Sequence, residues 1–180
     1  MIIKVCGMRE PQNIREVAAL AINWIGFIFY ERSKRFVERC PTEQQVTDSE
    51  QLSPKKVGVF VNATIESMME KASAYKLDYL QLHGNESPED CHTLQKRGYS
   101  LIKAFPIATK EDFEKTREYE GRVDYFLFDT RCEGYGGSGK RFDWSILTEY
   151  KGETPFLLGG GIRPENAEAI RNFRHPRLAG

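Results

Sequence analysis

Between Tyr125 and Trp144 an apolar run delivers one carboxylate, Asp129, and then enters a glycine-rich loop, Gly136-Gly137-Ser138-Gly139-Lys140. That loop closes on Phe142-Asp143-Trp144, where Asp143 can cap the helix that follows. A carboxylate at the C-terminal end of a buried strand, under a glycine-rich cover, is what a barrel enzyme's acid and lid look like. Other chemistry-bearing residues stand at the ends of apolar runs: Cys6 after Lys4, His83 after Gln81, and Lys103 in a run of its own. Gly159-Gly160-Gly161, ahead of a helix beginning at Pro164, offers backbone N–H groups and a helix start suited to phosphate. Each has a plainer structural reading. Cys6 can be a small core residue, His83 a hydrogen-bonded one, Lys103 an ion-pair partner and Asp129 a turn cap. Arg35, in Ser33-Lys34-Arg35-Phe36, is by composition part of a solvated basic loop, and the three glycines can be a tight turn.

The elements that must position these residues alternate between short apolar runs and amphipathic, capped segments. Strands are expected at Ile2–Val5, Trp24–Phe29, Val57–Val61, Tyr79–Leu82, Leu101–Phe105, Val123–Phe128 and Phe156–Leu158. Helices are expected at Pro11–Ala21, from about Pro41 to Gln51, at Thr64–Tyr75, after the capping box Ser87-Pro88-Glu89-Asp90, after the Thr109–Asp112 box, and from Pro164. Strands apolar on both faces, each followed by a helix, argue for a parallel sheet with helices outside it. A doubly wound open sheet and a (β/α)₈ barrel both fit. Seven regular units without GxGxxG or GxxxxGK[ST] after the first strand favour the barrel. Residues two apart on a strand share a face, so the polar sets should point inward: Lys4 with Cys6, Gln81 with His83, Lys103, and Asp129. Two lysines, a histidine, a thiol and a carboxylate then converge, and buried charges must find partners or a ligand.

The expected architecture is an α/β fold, one barrel domain over residues 1–180, cut short at Arg177-Leu178-Ala179-Gly180 where an eighth strand should begin. Without an eighth unit the first and seventh strands should present unpaired edges. Lys plus Arg equals Asp plus Glu at 26 each, so no bulk field favours nucleic acid, membrane or an acidic partner. No apolar run approaches the roughly 18–20 residues that span a bilayer, and the N-terminus lacks the marks of a signal peptide. Cys6, Cys40, Cys91 and Cys132 have no CxxC spacing, which indicates neither a zinc site nor a disulfide framework. A cytoplasmic, reduced protein is expected.

Seven segments taken together resemble the phosphoribosylanthranilate isomerases of tryptophan biosynthesis. They are Lys4-Val5-Cys6-Gly7, Gly26–Tyr30 with Ser33-Lys34-Arg35, Gly58–Asn62, Gln81-Leu82-His83-Gly84, Asp129-Thr130, Gly136–Lys140 with Phe142–Trp144, and Gly159-Gly160-Gly161. The resemblance implies a (β/α)₈ barrel that performs an Amadori rearrangement on a small phosphosugar with no cofactor and no metal. It implies that Asp129 is the general acid that opens the ribose ring and Cys6 the general base that takes the C2′ proton, with Lys4 favouring the thiolate. It further implies that Arg35 holds the anthranilate carboxylate, that Gly160 and Gly161 take part of the phosphate, and that Lys4 and His83 contact substrate. Gly159 stands where the family more often has serine. An alternative is a catalytically impaired barrel that keeps phosphate-ligand binding because the eighth unit is missing; a relative acting on another phosphosugar would need other carboxylates.

Overall fold

The computed structural model describes residues 1–39, 53–130 and 144–180. Its centre is one sheet of seven parallel strands in chain order: β1 (Lys4–Cys6), β2 (Trp24–Ile28), β3 (Lys55–Phe60), β4 (Tyr79–Leu82), β5 (Ser100–Ile107), β6 (Tyr125–Thr130) and β7 (Phe156–Gly159). Each connection carries helical structure: α1 (Pro11–Ala18), α2 (Ile65–Ala74), α3 (Pro88–Lys96) and α4 (Ala167–Asn172), with 3₁₀ segments at Val37–Arg39, Lys110–Tyr119, Trp144–Glu149 and Pro164–Asn166. The α/β class and the parallel sheet are as the alternating pattern predicts. The helix expected over 41–51, the glycine loop 136–140 and the Asp143 cap lie outside the described residues.

Local chemistry explains the helix starts. Thr64 Oγ1 accepts from the amide of Ser67, and Ser87 and Asp90 exchange side-chain and backbone bonds across the first turn of α3. Asp112 Oδ2 takes the amides of Ala108 and Thr109 at 3.0 Å each.

The register sorts the two faces. Cys6 pairs beside Gly26, Val59 beside Gln81, Gln81 beside Ile102, and Asp129 beside Gly159. These residues share the inner face, where Trp24, Val57, Ile102 and Leu157 form a core. Trp24 packs its ring 4.6 Å from that of Tyr79 and 5.2 Å from that of Tyr125, plugging the inner face near the strand starts. The outer face carries the larger core, in which Phe60, Leu82, Leu101, Phe126 and Phe156 meet Met68, Leu94 and Tyr150 from the helical layer.

Two expectations need correction. Lys103 registers beside Leu82 and Phe126, on the outer face rather than among the inward residues. Its ammonium donates to Glu86 Oε2 at 3.0 Å and to the carbonyls of Gly84 and Leu82 at 2.7 and 3.3 Å, with both charged side chains 3 % exposed. The charge is affordable outside because Glu86 and two carbonyls replace its water; the rule that the fully apolar set faces the helices fails there. The outer edge of β7 is also not left open, and the residue ahead of β1 is tied to the same segment. Arg177 O and Gly180 O accept from the amides of Phe156 and Leu158, Ala179 N donates to Phe156 O, and Ala179 O accepts from Ile2 N at 2.7 Å. Arg177–Gly180 thus links β7 to the residue ahead of β1, leaving the outer edge of Lys4–Cys6 itself beyond the link.

Candidate active site

The strand ends on the inner face carry the predicted site. β1 contributes Lys4 and Cys6, β4 and the residue after it contribute Gln81 and His83, and β6 contributes Asp129. Cys6, His83 and Asp129 are half-buried, whereas Gln81 is only 2 % exposed.

Four of these side chains form one contiguous line across three strands. Lys4 Nζ donates to Gln81 Oε1 at 2.5 Å. Gln81 Nε2 lies 2.7 Å from His83 Nδ1, and His83 Nε2 faces Asp129 Oδ2 at 3.6 Å. The last separation is beyond hydrogen-bond length but short enough for the charge state of one ring to be felt by the other group.

Arg35 reaches the site from the loop after β2. Its backbone is set by a turn in which Ser33 N donates to Tyr30 O and Ser33 Oγ accepts from Arg35 N, and Arg9 holds the neighbouring Lys34 carbonyl. The guanidinium donates to Cys6 O at 3.0 Å. It lies flat over Gly7, whose φ is +87°; a Cβ there would sit 2.7 Å from the arginine side chain. The guanidinium is exposed and keeps further N–H groups for a planar anion.

Cys6 itself is fitted against β2. The carbonyl of Gly26 accepts from the amides of Gly7 and Met8 at 2.9 and 3.1 Å, clamping the strand end. A Cβ on Gly26 would stand 2.7 Å from Cys6 Sγ. Cys91, by contrast, is fully buried, and burial pushes its thiol up to about 12. Cys40 and Cys132 lie outside the described residues.

β7 ends beside Asp129 at Gly159, and the turn that follows has φ +78° at Gly160 and +61° at Gly161. Asn166 Nδ2 donates to Gly161 O at 2.7 Å, while Asn166 Oδ1 accepts from Arg163 N, so the turn is tied to the following helical segment.

The structure therefore brings Lys4, His83 and Asp129 into one line, sets Arg35 on the backbone of Cys6, and puts the Gly160–Gly161 turn at the end of the strand next to Asp129. Gln81 and Gly26 carry more than sequence reasoning assigned them. A polar residue between Tyr79 and His83 on an inward face, and a glycine inside a strand, are the signals that could have found them. Knowing their partners requires the register. Among the described residues no cluster of three or more His, Cys, Asp or Glu side chains is placed to hold a metal ion, and no helix is long and apolar enough to cross a membrane.

Residues 3–179 match the family model described as N-(5′-phosphoribosyl)anthranilate (PRA) isomerase. The chain is 97 % identical over 180 residues to the N-(5′-phosphoribosyl)anthranilate isomerase of Parabacteroides distasonis, covering 100 % of this chain and 81 % of that protein. Its fold is similar to the crystal structure of phosphoribosyl anthranilate isomerase from Thermotoga maritima, with a TM-score of 0.79 and 33 % identity over 94 % of this chain and 82 % of that one. It is also similar, with a TM-score of 0.75 and 28 % identity over 94 % of this chain and 80 % of the other, to a phosphoribosyl anthranilate isomerase in complex with reduced 1-(o-carboxyphenylamino)-1-deoxyribulose 5-phosphate.

Proposed function

The chain belongs to the N-(5′-phosphoribosyl)anthranilate isomerase family, and we propose that Cys6 and Asp129 are the proton-transfer pair of its Amadori rearrangement. The family's reaction belongs to tryptophan biosynthesis and converts the phosphoribosyl amine of anthranilate to a 1-deoxyribulose 5-phosphate. The observation that carries the assignment is the placement of a half-buried thiol and a half-buried carboxylate on the same inner face, both at strand C-termini.

Protonated Asp129 gives its proton to the ribose ring oxygen. The bond from that oxygen to C1′ breaks, and the nitrogen lone pair forms the C1′ iminium. Cys6 thiolate then takes the C2′ proton, and the C–H electrons flow into C1′–C2′ while the iminium nitrogen becomes neutral. The resulting enolamine tautomerises to the ketone as the C2′ hydroxyl proton is lost and C1′ gains one; passage of the proton now on the Cys6 thiol to the Asp129 carboxylate, through solvent, restores both enzyme groups. Burial of a carboxyl favours its protonated form and nearby cations favour a thiolate, so the chemistry asks for different surroundings at the two groups. Arg35, held against Cys6 O, binds the anthranilate carboxylate, and the Gly160 and Gly161 amides take phosphate oxygens. Lys4 and His83 complete the substrate-facing set. Within the same reading the sheet is one domain, the wall of a (β/α)₈ barrel, with Arg177–Gly180 in the position of the eighth strand's first residues.

The test follows loss of anthranilate fluorescence on conversion of phosphoribosylanthranilate. Cys6→Ser and Asp129→Asn should each lower kcat by about 10²- to 10⁴-fold while KM changes little, since each removes a positioned proton-transfer group. Undiminished turnover in either variant removes that residue from its role.

A further inference from the structure

We propose that Gln81 is a positioning residue that holds the imidazole of His83 as its neutral Nε2–H tautomer, with that N–H directed at Asp129. The inference rests on the reading of Asp129 as the acid. It follows from donor and acceptor inventories along the line from β1 to β6. The Lys4 ammonium has three donors and no acceptor. The Gln81 atom 2.5 Å from it must therefore be the amide oxygen, which fixes which way the amide is turned. The other amide atom is then an NH₂ group with no accepting capacity toward His83. It stands 2.7 Å from Nδ1, so Nδ1 must accept and cannot carry a proton. A neutral ring with bare Nδ1 carries its hydrogen on Nε2, the atom that faces Asp129 Oδ2 at 3.6 Å.

The lock has a consequence for the acid. Protonating His83 would place an N–H against the NH₂ group of Gln81, and the amide cannot turn over without setting its NH₂ group against Lys4. An imidazolium would thereby lose the Gln81 hydrogen bond. A cationic ring at this separation would hold Asp129 as the carboxylate, whereas ring opening needs the carboxylic acid. Gln81 lets a neutral donor face Asp129 and gives no hydrogen bond to a cation in that place. Its near-complete burial keeps water from substituting for its own two hydrogen-bond partners.

The experiment is nitrogen-15 NMR of histidine-labelled protein, with His83→Asn used to assign the His83 ring among the three histidines, combined with steady-state kinetics. In the parent, the His83 signals should show unprotonated Nδ1 and protonated Nε2. Gln81→Glu keeps an acceptor for Lys4 but presents a second acceptor to Nδ1, so the ring should become Nδ1-protonated, as the other tautomer or as the imidazolium. Its kcat should fall by at least about tenfold with KM within about twofold. Gln81→Met, which offers neither donor nor acceptor of comparable strength, should leave the ring in a mixture of tautomers and give an intermediate kcat. A parent ring protonated at Nδ1, or a Gln81→Glu ring still bare at Nδ1, overturns the inference. Asp129→Asn assayed in parallel separates the two questions: if it remains active, the acid assignment itself fails, whatever the ring shows.

Discussion

Replacing Gly26 by alanine should disable the thiol without emptying the site. The added Cβ would stand 2.7 Å from Cys6 Sγ, 3.1 Å from Cys6 Cα and 3.2 Å from Cys6 Cβ. Ordinary carbon contacts lie at about 3.5–4 Å, so the sulfur must move by about 1 Å. The strands cannot simply part, because Gly26 O holds the amides of Gly7 and Met8 at the same level. A misplacement of about 1 Å in a reacting group costs about 10²-fold in rate, or about 2.7 kcal/mol on the barrier. KM should stay within about twofold, since the Gly160–Gly161 turn is on another strand and Arg35 is bonded to the Cys6 carbonyl rather than to its sulfur. Overpacking should also lower stability by about 1–3 kcal/mol, which a second variant controls. Gly58→Ala puts a Cβ 2.4 Å from Leu77 Cδ1 on the outer face of β3, far from any reacting group. It should share the loss of Tm and keep its kcat. The assay is initial rate at saturating substrate by fluorescence, with thermal melts of all three proteins. A folded Gly26→Ala protein with kcat within about threefold of the parent would show that the thiol's position against β2 does not matter.

Lys103→Met should cost about 3 kcal/mol, because it leaves the buried Glu86 carboxylate with the amides of Asn62 and Gly84 but no cation. In a chain of this size that lowers Tm by roughly 10 °C, while KM at low temperature stays near the parent value; a raised KM with unchanged Tm would mean the ammonium serves the substrate after all. Asp112→Ala tests a pH-linked contribution. Burial opposes ionisation of this carboxyl, but Lys115 and the amides of Ala108 and Thr109 outweigh it and hold its folded pKa below the usual value. Its stabilisation is therefore complete above the unfolded value of about 4 and lost as pH falls through the lower folded value. The variant should be about 1 kcal/mol less stable near neutrality, and melts at decreasing pH should show the gap closing; a gap constant down to about pH 2 would refute the linkage.

Period and capping made the elements legible in the sequence. Tyr79–Leu82 is bounded as expected, and the Ser87–Asp90 box forms as its residue types dictate. The inward direction of Cys6, His83 and Asp129 was also legible, since alternation on a strand is a local property. Lys103 was misread because a local rule about polarity cannot see Glu86, 17 residues earlier, rising beneath the turn after β4. The partnership of Lys4 with Gln81 spans 77 residues and that of Cys6 with Gly26 depends on strand register. No periodicity within one segment encodes either. Arg35 illustrates the same limit: in the chain it is one of several cations in a basic loop, and only Gly7, by lacking a side chain, gives it a bed beside Cys6.

The hydrogen bond from Ile2 to Ala179 ties together residues far apart in sequence. Closing a loop of that length carries an entropic cost of roughly 4–5 kcal/mol beyond the constant term. Neighbouring strands, joined by short connections, assemble far more cheaply. By that measure the Ile2–Ala179 contact should form after the pairings of neighbouring strands. On the ribosome, at about 5–20 residues per second, Ile2 must wait some ten seconds or more before Ala179 has been made. Ile3, half exposed even in the finished fold, is the apolar side chain next to that waiting residue.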